Sequence, residues 1–152
     1  MICTEYLIKS YDFNNNREYH TYSDLNKYLM PEYHNCLIIN KKEEMIESCN
    51  DGKIRIWNFH SGVLIKTIRV ADYYQLKYFC LWDDDYIFVG SVNTIKIVEL
   101  RTKKVIGDLN GHNRKVAYLT TIDLPKYGKN LISQGLDKDG IKLWTNIEND
   151  SL

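Results

Sequence analysis

The chain has 152 residues, 44% hydrophobic and 26% charged, which is enough for one ordinary domain with a buried core and unlike a disordered segment. Twenty basic residues balance twenty acidic ones and no long basic block occurs, which argues against nucleic acid or an anionic membrane surface as the main partner. No apolar run approaches the roughly 18 residues that a membrane span needs, and Met1-Ile2-Cys3-Thr4-Glu5 lacks the basic-then-apolar order of a secretory signal.

In chain order, short apolar runs alternate with polar turns. A strand is expected near Tyr6–Tyr11, then an Asn14-Asn15-Asn16 turn and a second strand near Arg17–Tyr22. Residues 23–33 read as irregular, with a helical turn from Ser23-Asp24-Leu25-Asn26 that Pro31 would end. Next come strands at Asn35–Ile39 and Met45–Cys49, around the charged turn Asn40-Lys41-Lys42-Glu43-Glu44. The Asn50-Asp51-Gly52 turn opens the strand Lys53–Asn58, and His60-Ser61-Gly62 precedes Val63–Ile68. The same order then recurs at Lys77–Trp82, Tyr86–Ser91, Thr94–Glu99 and Val105–Leu109, with Asp83-Asp84-Asp85 and Arg101–Lys104 as turns. A third round holds Val116–Ile122, a longer loop through Pro125 and Gly128, Asn130–Ser133, and Ile141–Trp144 after Asp137-Lys138-Asp139-Gly140.

These rounds are copies of one unit. Aligned without gaps, one column holds Ile8, Ile54, Ile95 and Ile141, and the next holds only basic residues, Lys9, Arg55, Lys96 and Lys142. Two positions on stands a bulky column of Tyr11, Trp57, Val98 and Trp144, spaced 46, 41 and 46 residues apart. Eight residues later come Tyr19, Ile65 and Ile106, and eleven later Tyr22, Ile68 and Leu109. A period of about 40–45 residues marks a repeat architecture. Strands such as Tyr86-Ile87-Phe88-Val89 are apolar on both faces and need cover on both. Stacked four-stranded antiparallel sheets provide it, so each unit reads as one blade with strands a, b, c and d, about thirteen strands in all.

The residues resemble the WD40 repeat. Gly111-His112, with Trp144 32 residues after the histidine, resembles the family's G-H … W-D spacing; Asp51–Asn58 resembles its D-G-x-I-x-φ-W-D ending, and Tyr11-Asp12 is a weaker match. The fold expected is all-β: WD40-type β-propeller blades of four antiparallel strands in an incomplete or open propeller arc. A single domain is expected over residues 1–152, with a c–d hairpin at 1–24, blades at 34–70 and 76–110, and a blade at 111–147 lacking its d strand. Asp51 and Trp57 are the repeat signature. There are departures: Asn58 and Thr145 stand where the family has Asp, and the middle blade has Val98-Glu99. The resemblance implies a structural hydrogen-bond tetrad in the last blade only, from His112, Ser133, Asp137 (or Asp139) and Trp144. About three and a half blades leave three alternatives open: part of a longer propeller, completion by another chain or a second copy, or an open arc.

No Gly-rich phosphate loop, H-E-x-x-H or G-x-S-x-G occurs, so no enzyme and no cofactor are expected. The acidic run Asp83–Asp85 reads as a solvated turn. Cys3, Cys36, Cys49 and Cys80 form no C-x-x-C pair; they read as buried thiols of a reducing, cytoplasmic or nuclear interior, with no metal site. The resemblance implies a non-catalytic protein-interaction scaffold whose inter-blade loops bind a protein or peptide partner, with self-association or further blades as the other contacts. The candidate contacts are Asn50, Tyr73, Tyr74, Arg114, Lys115 and Ala117. Two other readings stand beside it: a structural or decayed propeller fragment within a larger assembly, and a ubiquitin-ligase adaptor using Arg101 of the degraded box Val98-Glu99-Leu100-Arg101.

Overall fold

The computed structural model describes residues 2–3, 8–22, 34–72, 76, 78–136, 138 and 140–145. The helical turn expected from Ser23, and the positions of Tyr73, Tyr74, Asp137 and Asp139, lie outside the described residues. Among those described there is no helix, and so none long and apolar enough to cross a membrane. The described residues form fourteen strands: β1 (Ile2–Cys3), β2 (Ile8–Asp12), β3 (Arg17–Tyr22), β4 (His34–Ile39), β5 (Glu44–Cys49), β6 (Lys53–Asn58), β7 (Leu64–Arg69), β8 (Phe79–Leu81), β9 (Tyr86–Gly90), β10 (Thr94–Glu99), β11 (Lys104–Asn110), β12 (Val116–Leu124), β13 (Gly128–Gly135) and β14 (Ile141–Trp144). They form the antiparallel sheets β1-β2-β3, β4-β5-β6-β7, β8-β9-β10-β11 and β12-β13-β14. The fold is thus all-β, made of propeller-type blades of up to four strands. The strand beyond the expected thirteen is β1, which pairs with β2 through Ile2↔Lys9 and Cys3↔Ile8.

The chain divides into two compact units, Met1–Lys77 and Tyr78–Leu152. Each holds two sheets. In the first unit Ile8, Tyr22, Met45 and Trp57 form a buried cluster, joined by Leu37, Phe59 and Leu64. Tyr22 ties β3 to the end of β6: its ring lies 6.0 Å from Trp57 at 78°, and its hydroxyl donates to the Phe59 carbonyl at 2.6 Å. In the second unit the cluster is Cys80, Ile95, Val116, Leu119 and Leu131, with Trp82, Phe88, Leu109 and Trp144 against it.

The repeat is visible in the backbone as well as in the side chains. A register shift falls just before the bulky column in three sheets, between Ser10/Tyr11, Ile56/Trp57 and Ile97/Val98. The residue five positions after that column takes a left-handed φ in the same three: Asn16 at 48°, Gly62 at 67° and Lys103 at 57°. A bulge sharpens the twist of the hairpin, and the left-handed residue closes its turn. Only one of the three is glycine, so the turn imposes this conformation on Asn and Lys at some cost.

Two differences from the expected elements have plain causes. The hairpin of β12 and β13 is longer than the apolar runs suggest, its ladder reaching Leu124↔Gly128. Pro125 presets the turn that the Tyr127 N–H closes onto the Leu124 carbonyl, and Gly128 supplies φ +66°. The outer polar residues Asp123 and Lys129 are paired with each other in that ladder. The isoleucine column also splits: Ile8, Ile54 and Ile95 are fully buried, whereas Ile141 is 69% exposed. The first three lie on strands flanked on both sides, and Ile141 lies on β14, an edge of the described sheet.

Candidate functional site

The bulky column and the strand facing it create the main polar arrangement. In register, Met45 faces Trp57, Ile87 faces Val98 and Leu131 faces Trp144. Two residues further along the facing strand, on the same side of the sheet, stand Glu47, Val89 and Ser133. A tryptophan N–H only donates, so burying it calls for an acceptor. Where the column is Trp the diagonal position is an acceptor, and where it is Val the position is Val.

In the last sheet Trp144 Nε1 donates to Ser133 Oγ at 2.8 Å, and His112 Nε2 lies 2.7 Å from the same oxygen. With the hydroxyl proton directed to Nε2, one buried oxygen serves both rings. Three of the four residues expected to form a tetrad are therefore brought together, and Asp137 falls outside the described residues. Ser133 is fully buried, so it meets no solvent-borne substrate.

Contrary to expectation, the sheet β4–β7 carries a comparable network. Trp57 Nε1 donates to Glu47 Oε1 at 3.0 Å, and His34 Nδ1 lies 2.8 Å from Glu47 Oε2. The imidazole arrives by a different route. His34 is the first residue of β4, the position that Val116 holds on β12, since His34 pairs with Cys49 as Val116 pairs with Gly135. The sequence signal is Glu47, two positions beyond the residue facing Trp57; no Gly-His dipeptide marks this sheet.

The basic column makes cross-strand pairs on the surface, Lys9–Glu18 at 2.6 Å and Lys96–Asp108 at 2.7 Å. Arg55 differs. It is fully buried, and its guanidinium grips Asp51 in the preceding turn at 2.8 Å. Burial pushes the Asp51 carboxyl up, but the Arg55 hydrogen bonds and charge, with the Lys53 N–H and charge, outweigh it and hold the group below the ordinary carboxylate range. Asp51 thus anchors the turn that Gly52 completes at φ +81°, its carbonyl accepting from the N–H groups of Val70 and Ala71. In the acidic run, Asp83 Oδ1 accepts from the N–H groups of Asp85 and Tyr86 at 2.8 and 2.9 Å, a side chain closing its own turn.

The expected contact residues are distributed unevenly. Asn50 is only 6% exposed and offers a partner little side-chain area. Arg114 is exposed, while Lys115 and Ala117 are half-buried. Ala117 lies in the register shift between Val116 and Tyr118. The Leu136 N–H donates to the Lys115 carbonyl at 3.0 Å, placing an apolar side chain that is 60% exposed beside this basic loop. Within the same unit an apolar cleft of about 260 Å³ is lined by Trp82, Phe88, Ile97, Leu109, Leu131 and Trp144. The Arg101 side chain is 74% exposed and lies 3.3 Å from Glu99.

No protein-family model matches the chain. It is 31% identical over 87 residues to a protein named probable coatomer subunit beta' of Schizosaccharomyces pombe, which spans 54% of this chain and 11% of that protein. It is 25% identical over 108 residues to the U3 small nucleolar RNA-associated protein 21 homolog of the same organism, spanning 71% of this chain and 12% of that protein. The chain therefore spans about a tenth of the length of these curated relatives. Among solved structures, it is similar to the computationally designed Ika4 protein, with a TM-score of 0.72 at 17% identity over 93% of this chain and 80% of that one. The designed Ika8 protein gives a TM-score of 0.71 at 15% identity, over 93% of this chain and 40% of that one. At such identities these likenesses bear on the fold, and they agree with the all-β blades described above.

Proposed function

We propose that this chain is a segment of a WD40-type β-propeller that serves as a non-catalytic scaffold for protein partners. What supports the reading is where the repeat keeps its shared residues. Ile8, Ile54 and Ile95 of the isoleucine column, and Trp57 and Trp144 of the bulky column with their acceptors, go into packing or buried hydrogen bonds, whereas the turns between the strands differ in sequence from copy to copy. Rigid sheets holding variable loops are how a scaffold presents recognition. The relatives' names, a coatomer subunit and an RNA-associated protein, denote components of assemblies, in keeping with this role.

The loop from Gly111 to Lys115 is the contact surface we favour, with Arg114 and Lys115 beside exposed Leu136. Its chemistry suits a peptide that carries an acidic residue next to an apolar one. Blades beyond those described are supplied by a longer chain of which this is a part, or by another chain, in a reducing interior compartment. The test is affinity capture with the full chain, comparing wild type with Arg114→Glu and Leu136→Asp. A partner lost at least tenfold in both variants, with the circular dichroism of each unchanged, supports the reading. Capture indifferent to both variants refutes this surface.

A further inference from the structure

We propose that His34, Glu47 and Cys49 form a buried chelate for a zinc-class divalent cation inside the sheet β4–β7. Glu47 and Cys49 are two residues apart on β5 and so share one side of the sheet, and His34 is the cross-strand partner of Cys49. Their donor atoms all lie within 4.8 Å of one another. Cys49 Sγ is 3.6 Å from His34 Nδ1, close to the roughly 3.6 Å that tetrahedral zinc sets between a thiolate and an imidazole nitrogen. His34 Nδ1 and Glu47 Oε2, at 2.8 Å, need only spread toward the roughly 3.4 Å of a nitrogen–oxygen ligand pair.

Two independent observations point to a cation. Glu47 is fully buried, and its Oε2 accepts no hydrogen bond; its near neighbour is His34 Nδ1 at 2.8 Å. A carboxylate oxygen with unmet capacity therefore faces the point where the sulfur and the nitrogen converge. Moreover, the sulfur and the carboxylate meet the same ring nitrogen. A Cys-His-acid proton relay needs both nitrogens, one for each neighbour, whereas a chelate needs this convergence. The donor set of one thiolate, one imidazole and one carboxylate suits a borderline cation and matches its charge of two. Trp57 Nε1, bonded to Glu47 Oε1, would orient the carboxylate from behind. Binding displaces the Cys49 thiol proton to solvent and leaves the His34 ring proton on Nε2.

The test is a titration of the full chain, freed of metal by a chelator, with Co²⁺ followed by competition with Zn²⁺. One equivalent should produce a thiolate-to-cobalt charge-transfer band that zinc abolishes, together with a change in tryptophan fluorescence. Cys49→Ser and His34→Gln should each weaken binding at least a hundredfold, while Cys36→Ser and Cys80→Ser leave it within threefold. Glu47→Gln keeps an acceptor for Trp57 and so remains folded, and it should weaken binding at least tenfold. The wild-type melting temperature should rise with zinc and fall back with chelator, a readout that needs no variant. Absence of the band, or a band that survives Cys49→Ser and His34→Gln, overturns the proposal.

Discussion

The coupling of Trp57 to Glu47 gives the sharpest test of how a blade is held together. Replacing Trp57 by Phe keeps most of the ring but leaves Glu47 Oε1, fully buried, without the donor it has at 3.0 Å. Replacing Glu47 by Val leaves the indole N–H without its acceptor. A buried group stripped of its partner costs about 1–3 kcal/mol, and a hydrogen bond to a charged acceptor is worth about 1.5–3 kcal/mol. Replacing both removes the pair together, as nature has done with Val98 and Val89 in the sheet β8–β11. The Glu47→Val/Trp57→Phe protein should therefore be about 1.5–3 kcal/mol more stable than the two single losses predict. In a chain of this length each kcal/mol moves the melting temperature by about 2–4 °C. Urea and thermal unfolding followed by circular dichroism, with chelator present throughout, measure the four proteins. Additivity within about 0.5 kcal/mol would refute the claim that the indole and the carboxylate act as a unit.

Gly52→Ala should be severely destabilising, because its Cβ would stand 2.0 Å from the Ala71 carbonyl oxygen at φ +81°. Gly128→Ala, at φ +66° with nothing within 4 Å, should lose only the left-handed penalty of about 1–2 kcal/mol; equal urea midpoints for the two would contradict the turn geometry. The depressed Asp51 carboxyl stabilises the fold above its ordinary value of 3.8, and that contribution is lost as pH falls through its lower folded value. Asp51→Asn should flatten the acid limb of the stability–pH curve. It should also cost about 3–5 kcal/mol at neutral pH by leaving Arg55 buried beside a neutral amide, and unchanged curves would refute the pairing. Ser133→Ala strips one oxygen from both Trp144 and His112 and should cost about 1–3 kcal/mol in urea unfolding.

Much of the fold was legible because a repeat averages out local ambiguity. The strands expected at Thr94–Glu99 and Ile141–Trp144 match the observed ones to the residue, since their column partners fix where each strand begins. The β12–β13 hairpin extends beyond its apolar runs: its outer residues Asp123 and Lys129 pair through the ladder and leave no apolar trace in the sequence. The exposure of Ile141 was not visible in its column, because burial of a strand residue depends on whether a further strand lies alongside. At the site, His112, Ser133 and Trp144 could be found from their spacing, which the chain connectivity sets. The network of His34, Glu47 and Trp57 could not, because its imidazole comes from a cross-strand register that short-range spacing does not encode. Arg55 shares its column with the surface residues Lys9 and Lys96, and its burial follows from the pairing with Asp51 in the preceding turn, which the column does not encode.

The account depends on corresponding columns occupying corresponding places in successive sheets. Backbone NOEs across the pairs Met45–Trp57, Ile87–Val98 and Leu131–Trp144 test this most directly. All three should appear, each flanked by the antiparallel pattern of its own ladder. Finding Trp57 and Trp144 opposite non-corresponding residues, or helical connectivities through either strand, would contradict it.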